Sequence, residues 1–538
     1  MGTKASGNPN ECRAGTISDH PSPIVTPVVW SDMGMRVLVA VVLAVVVFGS
    51  GAIHLESFPP FWFDEGWTTC AARTWVEQGH YGCLLQGEPA PPLLSAHFPV
   101  VASVAASFRM FGVGVWQARL VGLLYTYGAF LLLYHLADHL YGRKTALASL
   151  ALVILFPLKW QIHPLVVGRQ VLGEMPMIFF LLAGYACFLN IERHQAWLGA
   201  AVFCWSIAWM TKAQAAPFLG VSFGLSLALA VRRREWRIVR WLMIGLVGSW
   251  AGYHGLVWAK DQLLAGHTIP HPHLKGLAEA IAVVFVPSIR LETLQLTLVV
   301  WPEYMLALGY GALRMWREDS EARVPSLVRT VRIMLILLAS SWLAWFALLC
   351  AGEARYALPG LFIAAPCTAA FFAHLTRNFD LRYMKETVAA LIRNRRLDLD
   401  GRKVLVALVL LAAMLWVAAQ ERYALRSRED DQDLMAVTAF LHAHTPPTAL
   451  IETYDSELFL LLQRPYVYAP PDVLVEIIRS HQRLGPPPQY NPLGADPDYI
   501  VVGDFGRWAG FYKAPVEGNR MRLVKTIGRY QIYEPVRS

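Results

Sequence analysis

The chain has 538 residues, 55% of them hydrophobic and only 16% charged, with a net charge of +8. Soluble domains carry about a quarter charged residues, so this composition, with a mean hydropathy of +0.39, excludes an ordinary soluble enzyme. The basic residues fall in short clusters between apolar runs, a pattern of membrane topology and not of a nucleic-acid surface.

Residues 1–34 are rich in Gly, Ser, Pro and Asn and read as a disordered cytoplasmic tail without the pattern of a cleaved secretory signal. Apolar stretches near 37–53, 118–138, 145–160, 171–190, 196–210, 213–231, 238–258, 294–313, 331–350, 357–375 and 403–419 approach the roughly 20 residues that span a bilayer. The expected fold class is thus an α-helical polytopic membrane protein of about eleven spans. The connections alternate between basic ones, such as Arg232-Arg233-Arg234, and ones poor in cations. The positive-inside rule puts the basic set in the cytoplasm and the first loop, 54–117, outside. Residues 92–112 are apolar but would invert the topology if they spanned, so they are read as a juxtamembrane helix. A transmembrane domain over 35–420 is followed by 421–538, where short strand-like and helix-like runs separated by proline-rich turns predict a small extracytoplasmic α/β domain.

The ionisable residues near span ends are few. Phe63-Asp64-Glu65-Gly66 places two adjacent carboxylates just beyond the first span, where they cap a helix, form a site, or do both. Glu88 precedes a proline run in the same loop, either a solvated turn or a contact to a metal or acceptor. Arg169 and Glu174 are five residues apart at the start of the fourth span, so they do not form an i,i+4 pair. Lys212, and Arg355 with Tyr356, each put a cation at the outer membrane level. Singly they are snorkelling anchors; together they suit an anionic phosphate. His254, His267, His271 and His273 cluster around one outer loop, where a metal site and a plain loop are both open readings. Cys70 and Cys83 share the first loop and can form a disulfide if it faces an oxidising compartment.

In their order and spacing, Phe63-Asp64-Glu65-Gly66, Arg169 with Glu174, Trp209-Met210-Thr211-Lys212 and Arg355-Tyr356-Ala357-Leu358-Pro359 resemble the GT-C superfamily of integral-membrane glycosyltransferases. The nearest likeness is to bacterial relatives of protein O-mannosyltransferases and of lipid A aminoarabinose transferases, over roughly 35–375. The resemblance implies an inverting transfer of a sugar from a polyprenyl-phosphate donor to an acceptor hydroxyl on a lipid, glycan or protein, at the outer face of the plasma membrane. It implies catalytic carboxylates at Asp64, Glu65 and Glu174 and donor-phosphate contacts at Arg169, Lys212, Arg355 and Tyr356. It also implies a divalent metal in some members, at the position of Glu88. The other classes weighed are a transporter or flippase, with its charges at the bilayer midplane, and an inert scaffold that recruits an envelope partner. A lipid-linked polysaccharide ligase or polymerase is a third.

Overall fold

The computed structural model describes residues 31–93, 97–155, 159–269, 277–317, 325–394, 398–426 and 432–536. The chain divides after Val42, within the helix Ser31–Ala44, and Leu43–Ser538 form one body. Residues 1–30 of the expected tail, and His271 and His273, lie outside the described residues; the last positions assigned to the tail are helical.

Five described helices are long and apolar enough to cross a membrane: Val115–Tyr141, Ala215–Arg232, Ser326–Leu348, Ala354–Leu375 and Leu399–Gln420. The expected span 294–313 is instead a broken one. Pro287–Val300 and Pro302–Met315 meet at 76°, because Pro302 has no amide hydrogen to continue the ladder and the preceding turn is already widened into a π-helix. Counted as one, that pair makes a sixth span. The other expected segments are also helical but shorter, such as Glu174–Phe188 and Ala196–Thr211, or less apolar, such as Trp236–Leu263 with its Gly, Trp, Tyr and His residues. The expected juxtamembrane segment is the helix Phe98–Phe111, packed on Phe63–Gln78 and Val115–Tyr141.

The C-terminal region forms a five-stranded sheet. Strands β3 (Ile451–Thr453), β4 (Tyr466–Val467) and β5 (Tyr499–Val502) are parallel, whereas β6 (Met521–Ile527) and β7 (Tyr530–Pro535) are antiparallel. The order is β4-β3-β5-β7-β6. A smaller hairpin, β1 (Leu84–Leu85) with β2 (Glu88–Pro89), lies in the first loop. Parallel neighbours require crossovers, supplied by the short helix Ser456–Leu460 and the amphipathic helix Pro471–His481.

This domain shares one apolar core with the first loop. Phe61, Phe63, Trp67 and Cys70 pack in the same cluster as Leu458, Phe459, Tyr466 and Ile500. Three polar clamps reinforce the seam. Arg73 donates to the carbonyls of Phe459, Leu460 and Leu462 at 3.3, 3.0 and 3.1 Å and so closes the end of Ser456–Leu460. The Ser456 hydroxyl donates to the Phe63 carbonyl at 2.6 Å, and Arg529 reaches the Phe61 carbonyl at 3.4 Å. Gly66 lets these backbones touch, since a Cβ there would fall inside the Ser456 carbonyl group. Gly66→Ala is therefore expected to cost about 1–3 kcal/mol, read as a lower unfolding midpoint of the purified protein. Cys70 and Cys83 are both buried in this core as free thiols, and the Cys70 sulfur lies 3.1 Å from the Tyr466 hydroxyl.

Among the described residues of the domain three acids are buried: Glu452, Asp455 and Glu457. Burial pushes the Glu452 carboxyl up to about 8, opposed by hydrogen bonds from Tyr512 and Tyr490 at 2.9 and 3.1 Å. Burial, and then the neighbouring Asp455, push Glu457 to about 8 as well. Unfolded glutamates titrate near about 4.3, so unfolding above that pH releases protons from these two groups. Their stabilisation is full below about 4.3 and is lost as pH rises through 8. The unfolding midpoint is expected to fall between about pH 6 and about pH 9, with a smaller fall in Glu452→Gln.

Candidate active site

Between the membrane helices, the first loop and the α/β domain lies a cavity of about 1310 Å³. Asp64, Glu174, Lys212, Arg355 and Tyr356 line it. They come from segments far apart in sequence, and local helix chemistry places each one.

Asp64 sits in the first turn of Phe63–Gln78, where the helix dipole favours a carboxylate. Glu174 opens Glu174–Phe188, and Lys212 ends the neighbouring helix Ala196–Thr211, so an acid at an N-terminus meets a base at a C-terminus. The Lys212 ammonium is 2.5 Å from Glu174 Oε1. Its stem runs over Gly173, where a Cβ would come within 3.0 Å of it. Arg355 lies in the turn Ala354–Ala357, pinned by the Trp342 indole donating to the Tyr356 carbonyl at 2.7 Å. Arg355 Nη1 is 2.5 Å from Asp64 Oδ2. The Tyr356 ring lies 5.9 Å from the Lys212 ammonium and 5.6 Å from the Arg355 guanidinium. Two acid–base pairs thus face one cavity, and their charges interact, since Arg355 acts on both Asp64 and Glu174. Glu174 Oε2 and Arg355 Nε are buried without a hydrogen-bond partner, polar capacity that a ligand can use.

Three expected site residues lie elsewhere. Glu65 is fully buried and does not line the cavity. Its Oε1 accepts from the Trp62 amide at 3.0 Å and from Arg119 Nη2 at 2.7 Å, while Oε2 accepts from Arg119 Nε at 3.0 Å and the Val171 amide at 2.9 Å. A carboxylate so occupied orients Asp64 from behind. Arg169 donates to the backbone carbonyls of Phe58, Ser50 and Ile53, which removes it from the cavity wall. Glu88 is exposed in β2, outside the cavity, and no group of three or more His, Cys, Asp or Glu among the described residues could hold a metal ion. The described residues therefore do not fit a metal at Glu88.

Arg119 was missed by sequence reasoning. It is fully buried, pairs with both Glu65 oxygens and donates to the carbonyls of Leu55 and Pro59 at 2.9 and 2.8 Å. Its signal was present: an arginine inside an apolar span needs an internal partner.

Residues 97–252 match the family model of dolichyl-phosphate-mannose-protein mannosyltransferases. No curated protein sequence matches the chain. Among solved structures, ArnT from Cupriavidus metallidurans bound to undecaprenyl phosphate aligns with a TM-score of 0.54 at 14% identity, covering 94% of this chain and 98% of that one. Its apo form aligns with a TM-score of 0.55 at 15% identity and the same coverage. The oligosaccharyltransferase AglB from Archaeoglobus fulgidus, in complex with an inhibitory peptide and a dolichol-phosphate, aligns at 0.52 with 11% identity, covering 95% of this chain and 75% of that one. The chain thus shares the fold of these structures, a GT-C-like membrane fold. Within that class it resembles ArnT and the protein-mannosyltransferase relatives.

Proposed function

We propose that the protein is an inverting glycosyltransferase that moves a sugar from a polyprenyl-phosphate donor to an acceptor hydroxyl at the extracytoplasmic membrane face. The observation that carries this reading is the convergence of Asp64, Glu174, Lys212 and Arg355 on one cavity beside apolar helices. The relatives that share the fold were solved with polyprenyl phosphates, which supports the same donor class here.

Asp64 is the general base. The acceptor hydroxyl gives its proton to the Asp64 carboxylate, and its oxygen attacks the anomeric carbon. The bond from that carbon to the phosphate oxygen breaks, and its electron pair leaves on the phosphate. Lys212 and Arg355 hold the phosphate as its charge grows, with Tyr356 positioning both cations. Before the donor arrives, Glu174 and Asp64 keep these cations in place. Arg355 transfers to the phosphate on binding, which releases Asp64 to act as a base. Glu174 keeps Lys212 oriented and is a positioning residue.

The test is release of polyprenyl phosphate from a panel of polyprenyl-phosphate sugars by the purified protein in nanodiscs. Release with one sugar supports the reading and names the donor; absence of donor binding across the panel would reject it. Lys212→Met is expected to weaken donor binding by about tenfold to a hundredfold, the effect of losing one charge-assisted contact of about 1.5–3 kcal/mol. Equilibrium binding of the labelled donor checks this.

A further inference from the structure

The α/β domain contributes its own wall to the cavity, in part aliphatic (Leu474, Ile478) and in part aromatic, and the aromatic part continues onto Trp62 of the first loop. Trp62, Phe505, Trp508 and His481 line it in a continuous run of rings. Trp62 meets Phe505 edge-on at 4.8 Å, Phe505 meets Trp508 edge-on at 6.1 Å, and His481 stacks on Trp508 at 4.8 Å with 1° between planes. The run begins beside the base: the Trp62 indole nitrogen lies 3.4 Å from Asp64 Oδ2. Trp62 and Trp508 remain 36% and 37% exposed, so ring surface is left for an occupant even though His481 covers one face of Trp508.

The wall is rigidly held. Buried Asp455 accepts hydrogen bonds from the amides of Gly503, Phe505 and Gly506 at 2.6, 2.9 and 3.3 Å, and so anchors the helix Asp504–Ala509 that carries Phe505 and Trp508. A Cβ at Gly503 or Gly506 would come within 2.6 or 2.9 Å of the Asp455 carboxylate. The next residue, Ser456, holds the Phe63 carbonyl in the turn that bears Asp64. One short segment thus fixes the base and the aromatic wall relative to each other.

We propose that this wall is the acceptor subsite and that the acceptor is an uncharged glycan. This rests on the glycosyltransferase reading and deepens it. A flat indole face packs against the C–H face of a pyranose ring, and two indoles, Trp62 and Trp508, on either side of Phe505 suit two sugar units. Charge separates this occupant from a phosphorylated lipid. Among the described lining residues Lys212 and Arg355 are the only lysine and arginine, both belong to the membrane-helix wall, and both serve the donor phosphate. Among its described residues the aromatic wall supplies no lysine or arginine for a second phosphate, His481 being its one basic side chain. Backbone geometry separates it from a peptide bound by strand addition, because no described lining residue belongs to a strand of the domain's sheet.

The test uses the full-length protein in nanodiscs and two independent readouts. Saturation-transfer NMR is run with neutral gluco-, manno- and galacto-oligosaccharides, a serine-rich peptide and a phosphorylated glycolipid; labelled-donor binding is measured in parallel. At least one neutral oligosaccharide should bind. Its affinity should fall about tenfold in Trp508→Ala and largely recover in Trp508→Phe, with donor affinity and unfolding midpoint unchanged. Selective binding of the peptide or the phosphorylated glycolipid, no oligosaccharide binding at all, or an unaltered affinity in Trp508→Ala would each overturn the proposal. If donor binding persists in those cases, the glycosyltransferase reading stands; if donor binding is absent throughout, that reading falls on its own arm.

Discussion

Asp64→Asn is expected to reduce polyprenyl-phosphate release by about 10²–10⁴-fold while leaving donor affinity within a few-fold of the wild type, because a positioned general base contributes that much to rate. The substitution keeps the shape of the side chain and removes its charge and basicity. Helix Phe63–Gln78 keeps its start, since the backbone cap is made by Glu65 and the Trp62 amide. Arg355 loses its ion-pair partner and is freer to meet the phosphate, so tighter donor binding with lost turnover would also fit the assigned role. Single-turnover assays with labelled donor, alongside equilibrium binding, separate the two terms. Wild-type turnover in Asp64→Asn would remove Asp64 from the chemistry and shift attention to Glu174, the other carboxylate on the cavity wall.

The division between what the sequence announced and what it hid follows from the range of the interactions. Apolar runs near 118–138, 331–350 and 357–375 are local signals, and they became helices at those places. The bend at Pro302 was also local, but its hydrophobicity masked it. Asp64, Lys212, Arg355 and Glu174 stood out as isolated charges beside spans, and the cavity brings them together. Arg169 and Glu65 carried the same signal and proved to be fastenings. The distinction depends on where Phe58, Val171 and Arg119 fall in space, which no one-dimensional pattern contains. The aromatic wall was the least legible part. Phe505 and Trp508 lie more than four hundred residues from Asp64, and their anchor, Asp455, is a buried acid inside a hydrophobic segment.

Arg119→Met is expected to be the most destabilising single substitution in the membrane-proximal region, at about 3–5 kcal/mol, because it leaves one member of a buried ion pair uncompensated. The loss goes beyond that pair. Glu65 would keep only the Trp62 and Val171 amides, and the carbonyls of Leu55, Pro59 and Pro60 would lose their shared donor. These carbonyls lie on the chain that leads into Asp64, so the substitution loosens the approach to the base as well as the core beneath it. Glu65→Gln tests the same junction more gently: it keeps the shape, still accepts from one of the two amides at its remaining oxygen, and should cost less than Arg119→Met. Combining the two should not restore stability, since the orphaned carbonyls remain. Unfolding midpoints of the three variants in one detergent, with donor turnover measured on the fraction that stays folded, decide the matter. A mild Arg119→Met variant would mean that water or lipid headgroups can replace the guanidinium. A double variant as stable as wild type would mean that the Glu65–Arg119 charges, and not the loop carbonyls, set the energetics of the junction.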